Sequence, residues 1–173
     1  MNTRNLITAV ILSALAYVGS AVTASADDEP AFIRFGAGYY DINDNEDAGE
    51  FHFEYISDSK WWVFTPMVGV MATTDSAAYA YAGIRLDLFL GRRWVLTPQF
   101  APGLYEDGDG KDLGHVVEFR SALELAYRFD DRSRLGVSIY HLSNASLDDN
   151  NPGTEVLTLH YSLPVQRLFG NSN

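Results

Sequence analysis

The chain has 173 residues, no cysteine, 13% aromatic residues and a formal charge of −11. That length suits one domain, and the missing cysteines exclude a disulfide framework or a thiolate metal site. The acidic balance, with no basic patch anywhere, excludes nucleic acid as a partner.

Arg4 is the only charge ahead of the mostly apolar stretch Leu6–Val22, and Ala24-Ser25-Ala26 is followed at once by Asp27, Asp28 and Glu29. This pattern predicts a secretory signal peptide over 1–26, with the mature chain beginning near Asp27. A membrane anchor fits less well, because the apolar stretch is short and contains Ser13, Gly19, Ser20 and Thr23. No later segment has the roughly 18 consecutive apolar residues of a transmembrane helix. Alternating strands never produce such a run, so a membrane barrel stays open.

Eight strand-like segments follow, at Phe32–Ile42, Gly49–Ser57, Trp61–Ala72, Ala78–Phe89, Arg93–Leu104, His115–Phe129, Arg134–Asn144 and Thr154–Val165. Each has at least the ~9–11 residues that a tilted strand needs to cross a bilayer. Asp58–Lys60, Leu90–Arg92 and Asp130–Ser133 read as tight turns, whereas Asn43–Ala48, Thr73–Ala77, Tyr105–Gly114 and Ala145–Gly153 read as longer loops rich in Asp, Asn and Gly. Short turns alternating with longer loops predict an all-β, eight-stranded antiparallel up-and-down transmembrane β-barrel over 27–165, with a short tail over 166–173. Phe169 in that tail is the candidate terminal aromatic residue.

The faces of the strands agree. In the sixth segment Val117, Phe119, Ser121, Leu123, Leu125, Tyr127 and Phe129 share one face, and Glu118, Arg120, Glu124 and Arg128 share the other. In the fourth, Ala80, Ala82, Ile84, Leu86 and Leu88 oppose Arg85 and Asp87. A soluble lipocalin-type barrel would use the same alternation turned inside out. Trp61, Trp62 and Trp94, all beside tight turns, favour a membrane interface.

In the seventh segment Leu135, Val137 and Ile139 define the lipid face, and the same register continues to His141 and Ser143. In the eighth, Leu157, Leu159, Tyr161 and Leu163 define it, and the register extends back to Glu155. An imidazole, a hydroxyl and a carboxylate are therefore expected together on the outer surface, at the loop end of adjacent strands. Cross-strand neighbours lie within roughly 4.5–8 Å. That distance lets a carboxylate orient an imidazole which takes a proton from serine. The competing reading is that the three simply mark the headgroup boundary.

His141-Leu142-Ser143-Asn144-Ala145, followed by Asn151-Pro152-Gly153-Thr154-Glu155, resembles the last hairpin of the PagL family of lipid A 3-O-deacylases. That family's pattern is His-x-Ser-Asn-Ala, then Gly-x-Glu at the start of the last strand. The resemblance is strong over Phe119–Val165 and elsewhere rests on strand count and topology. It implies a bacterial outer-membrane barrel enzyme that removes the ester-linked 3-hydroxyacyl chain at position 3 of lipid A. Ser143 would be the nucleophile, His141 the general base and Glu155 the orienting acid. Asn144, which matches the asparagine after the family's serine, is the first oxyanion candidate, and Asn151, in the loop before Gly153, ranks behind it.

The implied partner is lipid A, or lipopolysaccharide, in the outer leaflet. A homodimer is compatible with the resemblance, and no cofactor or metal is implied. An outer-membrane phospholipase and a non-catalytic structural or adhesive barrel are the alternatives. Acidic loops facing a phosphorylated lipid predict divalent cations bridging the two. His52, His115 and His160 have no metal-ligand spacing. Asp107, Asp109 and Asp112 lack the closing Glu and flanking helices of a calcium loop.

Overall fold

The computed structural model describes residues 29–44 and 46–169; the signal-peptide reading of 1–26 falls outside them. Nine strand segments run in order: β1 (Phe32–Tyr40), β2 (Ala48–Ile56), β3 (Thr65–Thr73), β4 (Ala78–Arg85), β5 (Leu88–Leu90), β6 (Trp94–Glu106), β7 (Val117–Arg128), β8 (Arg134–Ser143) and β9 (Thr154–Pro164). A five-residue helix, α1 (Val165–Phe169), follows. Neighbours pair antiparallel in the order β4-β3-β2-β1-β9-β8-β7-β6, and β4 also pairs with β6, which closes the sheet. Segments β4 and β5 both pair with β6, so they form one interrupted span and the barrel has eight.

That interruption corrects the continuous strand expected over Ala78–Phe89. Arg85 pairs with Gln99 and Leu88 with Leu96, which sets Leu86 opposite Pro98. Proline has no N–H to give a ladder, so Leu86 keeps only its own bond to the Pro98 carbonyl, at 3.1 Å. Asp87 then turns inward and accepts from Arg134 Nη1 at 2.6 Å and Arg85 Nε at 3.1 Å.

The third strand starts four residues later than the alternation predicts. Trp61 and Phe64 exchange backbone hydrogen bonds of 2.8 and 3.0 Å across a tight turn, with Trp62 at φ 58°. The connection 57–64 is consequently longer than 74–77, so loop length does not separate the two ends of the barrel at that hairpin. A run of interfacial aromatics alternates no differently from a strand, which is why sequence periodicity merges them.

Side chains are sorted apolar outward and charged inward. Phe51, Phe53, Val68, Val70, Leu123, Val137, Ile139, Leu157 and Leu159 are exposed on the outer wall. Arg34, Glu54, Arg85, Arg120, Glu124 and Arg134 are buried in the lumen. A soluble carrier would require the reverse, so the wall is built for lipid. No helix among the described residues is long and apolar enough to cross a membrane; this chain crosses with strands.

Inside, Glu124 is the hub. It meets Arg34 at 2.9 Å, Arg85 at 3.2 Å and Gln99 Nε2 at 2.6 Å. Arg34 also bonds Glu54 at 3.0 Å. His52 and His160 face one another with ring centroids 6.2 Å apart. Gly136 makes room for His160 and Gly36 for His52, since β-carbons there would each stand 2.6 Å from the ring's Nε2.

At the turn end, Trp94, Tyr127, Phe129 and Tyr161 form a chain of ring contacts at 5.4, 5.2 and 6.5 Å, and Trp61 and Trp62 lie exposed at the same end. This is an interfacial girdle, in which amphipathic rings sit between hydrocarbon and water. The opposite end carries the connections 41–47, 74–77, 107–116 and 144–153 and the last residues of β8.

Candidate active site

Strand β8 alternates strictly: Leu135, Val137 and Ile139 point out, while Gly136, Ser138, Tyr140 and Leu142 point in. His141 and Ser143 continue the outward set and are half-buried. On β9, Glu155 opens the outward set that continues through Leu157 and Leu159. The hairpin register sets His141 directly opposite Glu155, one pair before the ladder ends at Leu142 and Thr154. All three expected residues therefore converge on the outer wall at the loop end.

His141 Nδ1 lies 3.0 Å from Glu155 Oε1. An ionised carboxylate only accepts, so this contact fixes the proton on Nδ1 and leaves Nε2 as the acceptor. The ring edge bearing Nε2 rests against Gly153. A β-carbon there would sit 2.8 Å from Cε1 and 3.3 Å from Nε2, and the residue has φ 65°. The second carboxylate oxygen, Oε2, accepts from Asn43 Nδ2 at 2.6 Å.

Ser143 pairs with Phe119 across β7 and faces outward two residues beyond His141. Among the described residues no hydrogen bond reaches its hydroxyl. It therefore stands beside the imidazole without being engaged by it.

The two asparagines occupy different places. Asn144 is fully buried, and its amide donates to the carbonyls of Leu113 at 2.9 Å and Asn150 at 2.8 Å. Both amide protons are thus used in tying the connection 107–116 to 144–153. Asn151 accepts the Asn144 backbone N–H on Oδ1 at 3.0 Å, which orients its amide and leaves the NH₂ group uncommitted. Beyond them Ala145 and Ser146 have φ values of 52° and 65°. Two successive non-glycine residues in the left-handed region are a local strain held in place by the surrounding loops.

A groove of about 360 Å³ runs down the outer wall from the pair, lined by Ser121, Leu123, Ile139, His141 and Glu155 among others. Ser121 stands directly opposite His141 in the β7–β8 register. A small side chain at that point, between Phe119 and Leu123 on the same face, opens the groove. Its apolar walls suit a hydrocarbon chain, and the His141 imidazole and the Glu155 carboxylate line it at the loop end.

The surrounding electrostatics are one-sided. The four connections at this end carry ten Asp and Glu residues against one lysine, Lys111. Lys111 Nζ is itself committed to Asp41 Oδ1 at 2.7 Å and Asp44 Oδ2 at 2.6 Å. Burial works against its charge, but the hydrogen bonds it donates to these two carboxylates outweigh that and hold its pKa above the ordinary lysine value. Lys60, Arg92, Arg93, Arg132 and Arg167 all lie at the turn end. Among the described residues no three His, Asp or Glu side chains converge as a metal site. His52 and His160 lie in the lumen, and His115 accepts the Val117 N–H at 2.9 Å.

Sequence reasoning missed Asn43 and the supporting part of Gly153. Gly153 was legible as a motif residue but not as the surface against which the imidazole rests. Asn43 had no signal, being one polar residue in a polar loop.

The family model described as lipid A 3-O-deacylase (PagL) matches residues 31–164. Among solved structures, the crystal structure of the outer membrane enzyme PagL superposes with a TM-score of 0.63 at 16% identity, covering 78% of this chain and 99% of that one. The backbone structure of the Yersinia pestis outer membrane protein Ail in a phospholipid bilayer nanodisc gives a TM-score of 0.47 at 13% identity, covering 78% and 100%. No curated protein sequence matches.

Proposed function

The chain belongs to the lipid A 3-O-deacylase (PagL) family, and from that premise we propose that Ser143, His141 and Glu155 carry out its ester hydrolysis. It is an outer-membrane barrel and an ester hydrolase acting on lipid A. The observation that carries the residue assignment is the contact between His141 Nδ1 and Glu155 Oε1 at 3.0 Å on the lipid-facing wall.

In this reading the ester-linked chain at position 3 of lipid A lies in the groove, with its carbonyl beside Ser143. The serine oxygen attacks that carbonyl carbon while His141 Nε2 takes the hydroxyl proton. Glu155 keeps the imidazole in the required tautomer and offsets the positive charge that it acquires. Collapse of the tetrahedral intermediate expels the sugar oxygen, which receives the proton from His141. Water then repeats the cycle on the acyl-serine and releases a 3-hydroxy fatty acid. The serine–histidine hydrogen bond is made as substrate enters, since such bonds are commonly loose beforehand.

The oxyanion needs donors aimed at where charge develops. The uncommitted NH₂ of Asn151 supports that role for it. Asn144 spends its own amide on the loops and acts by holding Asn151 in place. The acid-rich rim supports bridging of lipid phosphates by divalent cations; unchanged substrate binding in the presence of a chelator would sink that idea.

The test is a mass spectrum of lipid A incubated with refolded protein in detergent, beside Ser143→Ala. Loss of one 3-hydroxyacyl mass with the native protein alone supports the assignment. Equal loss with both proteins removes Ser143 as nucleophile.

A further inference from the structure

Glu155 has two carboxylate oxygens and only one of them faces His141. The other is held by Asn43 at 2.6 Å, from a connection 112 residues earlier in the chain. Glu155 is partly exposed, so without a second partner its carboxylate would rotate toward water. We propose that Asn43 is a positioning residue for the reaction described above: it fixes Oε2 of Glu155 so that Oε1 stays on the imidazole. The inference rests on the Ser/His/Glu reading.

The connection that carries Asn43 is anchored independently of it. Ile42 donates its backbone N–H to the Glu155 carbonyl at 3.0 Å, which extends the β1–β9 ladder past Tyr40 and Val156. Asp41, fully buried with φ 60°, accepts from Lys111 Nζ at 2.7 Å and Thr154 Oγ1 at 2.8 Å. Asp44, on the far side of Asn43, accepts from the same Lys111 at 2.6 Å. Asn43 thus sits between two carboxylates clamped by one ammonium group, and Thr154 places that clamp next to Glu155 in sequence. The amide reaches the carboxylate from a backbone that is already fixed.

The choice of an amide is itself informative. An arginine or lysine would orient the carboxylate more strongly but would also neutralise it. An amide donates a hydrogen bond and leaves the full negative charge of Glu155 for the imidazolium formed when His141 is protonated. Position is supplied without loss of charge.

The experiment is a double-mutant cycle of Asn43→Ala and Glu155→Gln, measured as kcat and KM for lipid A in refolded, folding-checked protein. Asn43→Ala is expected to lower kcat by roughly ten- to a hundredfold with KM little changed, the range that coupled neighbours reach. In the Glu155→Gln background the same substitution should have no further effect. Asn43→Asp, which sets a second carboxylate against the first, should be more damaging than Asn43→Ala. A strong Glu155→Gln defect beside an unimpaired Asn43→Ala overturns the positioning role alone. A loss that persists in full in the Glu155→Gln background also overturns it, by assigning Asn43 to loop structure. A fully active Glu155→Gln overturns the Ser/His/Glu reading and this inference with it.

Discussion

Gly153 lies against the Nε2 edge of the His141 imidazole so closely that a β-carbon on it would stand 2.8 Å from Cε1. Its φ of 65° adds a second constraint, because L side chains rarely adopt that conformation. Gly153→Ala must therefore displace the ring, the connection, or both. We expect a fall in kcat of at least about tenfold, equivalent to ~1.4 kcal/mol, in a barrel that still folds. Deacylation kinetics beside a gel-shift assay of folding would check it; native kcat would show that the ring has room to spare.

Ser121 controls how much of the groove is open beside His141. Ser121→Leu fills the upper part of a space of about 360 Å³ with three additional carbon atoms. Cleavage of a long-chain substrate should fall about tenfold in kcat/KM, whereas a short water-soluble ester should be cleaved as before. Comparing the two substrates on one variant separates an obstructed groove from a damaged site.

The lumen provides a test of stability apart from chemistry. Glu124 is fully buried and meets both Arg34 and Arg85. Glu124→Leu leaves two buried guanidinium groups short of charge, a loss of about 3–5 kcal/mol for a broken buried pair. The urea midpoint of the refolded barrel should drop accordingly. Adding Arg85→Met should restore part of it, because the uncompensated charge is then gone.

Lys111 sets a pH dependence on the loop end. Its folded pKa lies above the ordinary lysine value: burial opposes the charge, but Asp41 and Asp44 more than offset that. A raised folded pKa gives stability that is fully present below the unfolded value, ~10.4, and lost as pH rises through the folded one. The difference in thermal midpoint between native protein and Lys111→Met should hold steady from neutral pH to roughly 10.4 and shrink above it.

Much of this was readable from the chain because a strand's period is two. Once Leu135, Val137 and Ile139 are assigned to the lipid face, His141 and Ser143 have nowhere else to point, and Glu155 follows from Leu157 by the same rule. Contacts between loops and strands have no period. Asn43 reaches Glu155 across 112 residues, and nothing local to either residue records the meeting. Asn144 shows the same limit from the other side. Its neighbour in sequence faces lipid, but its own amide is turned inward onto Leu113 and Asn150. The break at Leu86–Asp87 depends on Pro98 lying opposite, a fact about pairing that no single strand carries.

The bonded mid-section of the lumen has a consequence for the cell envelope. Arg34 meets Glu54 and Glu124, and Glu124 meets Arg85 and Gln99, so a solute entering from either end would have to part buried, mutually bonded charged groups. A barrel filled in this way is a plug and adds no water-filled channel to the outer membrane. A bacterium can hold many copies of it in the surface without becoming leaky.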